Sequence, residues 1–160
     1  MGKVDINKSW NYAAAPESTV HIKLKKKYDL FIGGDFVKPL SKKYFDTINP
    51  ANGEQIAKVA EANEKDVNRA VKAARKAFKS WSKLSAKERG KYIFRIARMI
   101  QERAKEFAVI ECMDGGKPIR ESRDIDIPLA ANHFFYHAGW ADKLEYAFPN
   151  KKPTPLGIAG

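Results

Sequence analysis

The sequence predicts an α+β chain, with antiparallel hairpins first and a bundle of helices after them, and three observations carry that reading. Before residue 60, short runs rich in aromatic and β-branched residues are separated by Gly33-Gly34 and Asn52-Gly53, which suit tight turns. After residue 63, apolar residues recur at spacings of three and four, the period of an amphipathic helix. Gly115-Gly116 and Lys117-Pro118 then divide the helical part, because glycine ends a helix at low steric cost and a proline disfavours helical geometry just before it.

Residues 1–27 read as a basic extended arm. They have no sustained period, an Ala15-Pro16 step that discourages helix, and the basic run HIKLKKKY at 21–28. YDLFIGGDFVK at 28–38 reads as two strands joined through Gly33-Gly34-Asp35. YFDTI, NPANGE and QIAKVA at 44–60 repeat the plan as strand, turn and strand.

Two helices follow. Asn63 with Asp66 resembles a capping box, and Ser85 with Glu88 fits one better. The first helix should bury Val67, Ala70, Val71, Ala74, Ala77, Phe78 and Trp81. The second, from Ala86 towards Asp114, should bury Tyr92, Ile93, Ile96, Ala97, Ile100, Ala104, Phe107 and Ala108, with a break near Glu102–Lys105. A last helix should start near Pro128 behind Asp124 and Asp126 as caps. Its face would carry Leu129, Ala130, His133, Phe134, His137, Ala138 and Ala141. AFPNKKPTPLGIAG, with three prolines, leaves that helix as extended chain.

The 160 residues make one domain or part of a larger one. Net charge is +11, and residues 1–45 hold 9 lysines against 4 acids, so the excess is densest there. Such a charge permits an acidic partner without establishing one, and no aromatics interleave the N-terminal lysines as a stacking platform for nucleic acid would need. A single cysteine excludes an intrachain disulfide and suits a reducing compartment. No apolar run has bilayer-spanning length and no secretory signal is visible, so a cytoplasmic chain without a membrane partner is expected.

Little in the chain carries catalysis. Cys112, the one thiol, lies mid-helix between Glu111 and Met113 with Asp114 close by, a setting that works against a thiolate, so it reads as an inert packed residue. His133 and His137 are four apart, as helical metal ligands are. HFFYH lacks the glutamate of HExxH and offers no third ligand, so a packed face is the better reading. Neither double glycine belongs to a phosphate loop.

MDGGKPIRES, followed by FFYHAGWADKL, resembles the matching region of NAD(P)-dependent aldehyde dehydrogenases. FDTINPANGEQIAKVAEA at 45–62 and PLGIAG at 155–160 stand in that family's order. The resemblance runs from about Tyr28 to Gly160, dividing the chain into the arm, 1–27, and a partial cofactor-domain portion, 28–160. It implies strands packed beside an α/β cofactor domain that stops within its first parallel strand. The implied activity is oxidation of an aldehyde to a carboxylic acid with NAD or NADP, through a thiohemiacetal and hydride transfer, in a homo-oligomeric enzyme. The family's oxyanion-stabilising asparagine, cofactor-contacting lysine, glycine-rich turn, general-base glutamate and catalytic cysteine would all lie past Gly160. No catalytic or cofactor-binding residue is therefore expected in this chain, which by itself should be inactive. One minor site carries over: a sodium or potassium ion held by Thr47, the Ile48 carbonyl and Asp114, whose oxygens suit a hard cation. Two other classes remain: a non-catalytic module that pairs with a full-length relative, and, remotely, a nucleic-acid binder.

Overall fold

A computed structural model describes residues 15–148. The PLGIAG strand and residues 1–14 of the arm lie outside the described residues. A 3-10 turn at Thr19–His21 precedes five strands: β1 (Lys27–Tyr28), β2 (Leu30–Ile32), β3 (Asp35–Val37), β4 (Tyr44–Ile48) and β5 (Gln55–Ala60). β2 and β3 form the first expected hairpin, with Gly33 and Gly34 at positive φ in its turn and Phe31 against Phe36 across it. β4 and β5 form the second, with a register irregularity between Thr47 and Ile48. The sheet is not wholly antiparallel. β1 joins β5 in parallel, so the order is β1-β5-β4, and Lys27 opens the sheet from inside the basic run.

Six α-helical pieces follow: α1 (Glu64–Trp81), α2 (Ala86–Glu102), α3 (Ala104–Gly115), α4 (Ile119–Glu121), α5 (Ile127–Trp140) and α6 (Leu144–Ala147). The expected break between α2 and α3 falls at Arg103, where φ is −105° and ψ is 17°. The two capping sequences rank opposite to expectation. Asn63 and Asp66 make the full reciprocal box. Ser85 accepts from the Glu88 N–H, but the Glu88 carboxylate turns to Lys91 at 2.7 Å instead of returning to the cap.

The last helix does not start at Pro128. Helical backbone begins at Ile119 after Pro118 and passes through a π-helical turn, Ser122–Asp126, into α5. The Ile127 N–H bonds the Ser122 carbonyl, five residues back. This wider turn lies just where the Pro128 ring would otherwise press on the preceding turn. Asp124 and Asp126 are thus within the helical run and cap nothing. Asp124 pairs with Arg123 and Asp126 with Lys117.

Burial is concentrated in small residues: Ala57, Ala60, Ala97, Ala108, Val109 and Ala131. α2 and α5 pack closely, with Phe94 edge-on to Phe135 at 5.1 Å. A Cβ at Gly90 would lie 3.1 Å from the Ala138 carbonyl and 3.3 Å from the Ala141 Cβ. The inward edge of α5 is Ala131, which is buried, with Phe135 and Ala138 half-buried. Leu129, His133, Phe134 and His137, expected inward, are exposed.

The α1 face is corrected too. Val67 (54 % exposed), Val71 and Phe78 form an open apolar stripe, and the helix instead meets the molecule along Asp66, Ala70 and Ala73. Of the expected α2–α3 face, Ala97 and Ala108 are buried while Tyr92 and Ile96 are exposed.

Candidate functional site

Thr47 and Asp114 meet where the β4–β5 turn abuts the end of α3. Asn49 organises the turn: its side chain accepts from the Ala51 N–H, its carbonyl accepts from the Gly53 N–H at 2.8 Å, and Gly53 has φ 72°. α3 ends at Gly116, whose φ of 71° is left-handed and whose N–H reaches the Cys112 carbonyl. Gly115 is still within the helix, so only the second glycine of the pair supplies positive φ. Pro50 packs onto this end so closely that a Cβ on Gly116 would lie 2.7 Å from its Cγ. The contact brings two sequence-distant candidates together: the Thr47 hydroxyl donates to the Asp114 carboxylate. Thr47 is half-buried, and Ile48 and Asp114 are exposed.

Lys117 stands at the other side of the linker. Its ammonium bridges Asp126 in the π-turn and Glu111 of α3, and the hydrogen bond to Asp126, with Glu111 behind it, raises its pKa above the ordinary lysine value. The Cys112 thiol donates to the Lys117 carbonyl at 2.8 Å and is half-buried. The thiol is thereby tied to the linker backbone. Arg123 continues the network, binding Asp124 at 2.7 Å and Glu17 at 3.3 Å, so the N-terminal segment is tethered to the π-turn. Sequence reasoning missed this Lys117 bridge. Its signal was the acid six residues before Lys117 and the Ile-Asp-Ile run before Pro128, neither of which forms a known motif.

His133 and His137 are exposed on α5, with the His137 ring edge-on to Tyr136. Among the described residues no group of three His, Cys, Asp or Glu is placed to hold a metal. The double glycines are not placed as phosphate-binding turns. Gly33 and Gly34 turn a hairpin, Gly116 caps a helix, and none of the three opens a helix as a phosphate-binding glycine would. An open groove of about 480 Å³ between α2 and α5 is lined by Gly90, Lys91, Phe94, Phe135, Ala138 and Asp142 among others. No serine, threonine or cysteine is among its lining residues. Among the described residues no helix is long and apolar enough to cross a membrane.

Comparison with known proteins supplies the context for this arrangement. The model of the aldehyde dehydrogenase family matches residues 36–157. The mitochondrial benzaldehyde dehydrogenase of Antirrhinum majus is 41 % identical, covering 92 % of this chain and 30 % of the relative. The mitochondrial aldehyde dehydrogenase family 2 member B4 of Arabidopsis thaliana is 43 % identical with the same coverage. Among solved structures, PnpE in complex with nicotinamide adenine dinucleotide matches with a TM-score of 0.71 at 40 % identity, over 72 % of this chain and 24 % of that one. The chain thus spans about 30 % of the length of the curated relatives it matches.

Proposed function

This chain belongs to the aldehyde dehydrogenase family, and from that premise we infer that it is the N-terminal portion of an NAD(P)-dependent oxidoreductase that converts an aldehyde to a carboxylic acid. On this reading the hairpins and helices form a wall against which a cofactor domain packs, and the catalytic residues belong to the rest of the enzyme. The observation that carries it is the family match over 36–157 combined with the coverage of about 30 % of each relative. The only thiol, Cys112, is bonded to the linker backbone, which supports the further point that these 160 residues alone do not oxidise aldehydes.

Two assays test the two halves separately. The purified chain, mixed with a panel of aldehydes and either NAD or NADP, should produce no reduced cofactor; measurable turnover would overturn the inactive reading. A chimera with residues 28–160 in place of the matching segment of the Arabidopsis thaliana relative should oxidise aldehydes. A chimera that folds and is inert counts against the family role.

The cation site is a separate proposal. We propose that Thr47, the Ile48 carbonyl and Asp114 offer hard oxygen ligands to a monovalent cation, and the Thr47–Asp114 contact supports the pairing of two of the three. Sodium or potassium chloride should then raise the melting temperature relative to choline chloride, and Asp114→Asn should abolish that difference. Equal melting in all three salts removes the site.

The exposed apolar faces favour a second reading, in which the chain pairs with a full-length relative or with itself. Val67, Val71 and Phe78 on α1 and Phe31 and Phe36 on the first hairpin are all open. Light scattering on the eluting chain decides, since a clean monomer in the presence of such a relative removes it. The single cysteine supports a cytoplasmic location; recovery in a mitochondrial fraction, where the names of two relatives place them, would replace it.

A further inference from the structure

One surface of α1 has no part in the family role proposed above, on which this inference does not depend. Lys65, Arg69, Lys72, Lys76 and Lys79 succeed one another at spacings of four, three, four and three. At 3.6 residues per turn they fall on one stripe, about 21 Å long. All five are exposed. The acids of α1 lie off the stripe: Glu64 is to one side, and Asp66 is buried on the inward edge. Among the described residues Arg69 pairs with Asp66 at 3.2 Å, and the four lysines have no ion-pair partner. The stripe lies about 140° around the helix from Val67, Val71 and Phe78, so covering that apolar face leaves the cations facing outward.

We propose that this stripe docks the protein peripherally on an anionic lipid bilayer. Charge complementarity requires a polyanionic partner, and a second copy of a chain with net charge +11 is the wrong sign. Five cations in line on one straight helix reach a flat surface together, whereas the curved backbone of a duplex would meet only part of such a line. Four of the five are lysines, which act as point charges and match an unpatterned field of headgroups. No aromatic residue interrupts the stripe to stack a base. Each lysine close to an anionic leaflet contributes about 1 kcal/mol, equivalent to about fivefold in binding. The dock is a surface contact, and it needs no spanning helix.

Co-sedimentation of the purified chain with vesicles tests it. The chain should bind phosphatidylcholine vesicles containing about 30 % phosphatidylserine, and should bind pure phosphatidylcholine at least about tenfold less. Raising salt from about 50 to about 300 mM should release it, because the added salt shortens the Debye length to below about 8 Å and screens these exposed charges. Lys76→Gln alone should weaken binding about fivefold, and K72E/K76E/K79E should abolish it with the circular dichroism spectrum unchanged. K23E/K26E/K105E makes the same charge change at exposed lysines elsewhere and should retain most of the binding. Equal loss in both triple variants would mean that net charge, and not the stripe, drives the contact, and overturns the proposal. Salt-insensitive binding that survives K72E/K76E/K79E would assign it to the apolar face and overturn it as well. So would tighter binding to a DNA duplex than to the anionic vesicles.

Discussion

α2 and α5 meet through glycine and alanine, while α1 touches the molecule along one narrow line and leaves its valines and phenylalanine open. Both are amphipathic by sequence, yet only the first contact is complete within this chain. The difference lies in what each helix requires. Small residues at Gly90, Ala97, Ala131 and Ala138 let two backbones approach, so that contact closes with the partner already present. The large side chains of α1 need a broad apolar surface, and no described element supplies one. Large residues projecting outward from a closed small-residue core fit a chain whose relatives are about three times as long.

The sharpest test of the closed contact is Gly90→Leu. Its side chain would enter where even a Cβ stands 3.1 Å from the Ala138 carbonyl. We expect a loss of about 3 kcal/mol by urea titration, even after the gain in helix propensity from replacing glycine. A loss below about 0.5 kcal/mol would mean that α2 and α5 are not closely packed.

Gly116→Ala probes the junction between the turn and the linker and should cost about 2 kcal/mol. It combines the penalty for an L-residue at φ 71° with a Cβ pressed onto Pro50. Thermal melts check it, with Gly115→Ala as the contrast. Gly115 is helical and a Cβ there meets nothing within 4 Å, so that change should be neutral or stabilising.

A smaller effect is expected at the sheet. The Tyr44 hydroxyl donates to Asp29 at 2.6 Å, and that bond pushes the phenol up to about 12 from its usual 10.0. The folded state therefore holds this proton more tightly than the unfolded one. Its contribution to stability is fully present below pH 10 and is lost as pH rises through 10 towards 12. Tyr44→Phe should remove that part of the alkaline loss, measured as the melting temperature of both proteins between pH 8 and 11; identical alkaline slopes would remove Asp29 as the cause.

Much of this was legible in the sequence, and the failures share a cause. The strands at 44–48 and 55–60 and the break after Glu102 follow from turn residues and helix length, which are local properties. The capping order did not, because Asp66 is fixed by a distant partner: its carboxylate also accepts from the Leu40 N–H at 3.2 Å, and the acid is 1 % exposed. β1 was invisible because two residues of a lysine run carry no period. It is recognised only through β5 beside it and the Lys27 ammonium 3.5 Å from the centre of the Tyr44 ring. Pro128 misled in the opposite direction, since a proline inside a helix resembles a start until a π-turn accommodates it. Of the candidate site, the approach of Thr47 to Asp114 came only from the resemblance. No spacing rule joins residues that far apart in the chain.

The smallest expected effect tests the open face of α1. Val71 is 45 % exposed, so Val71→Ser removes little buried area in this chain. Its cost in urea should stay within about 0.5 kcal/mol. The same change in the chimera with the Arabidopsis thaliana relative should cost about 2 kcal/mol if the face is covered there, because a buried valine then gives way to a hydroxyl without a partner. Equal small losses in both proteins would mean that the face is open in the longer enzyme too. Equal large losses would mean that something in this chain already covers it, and the contrast between α1 and the α2–α5 pair would fall.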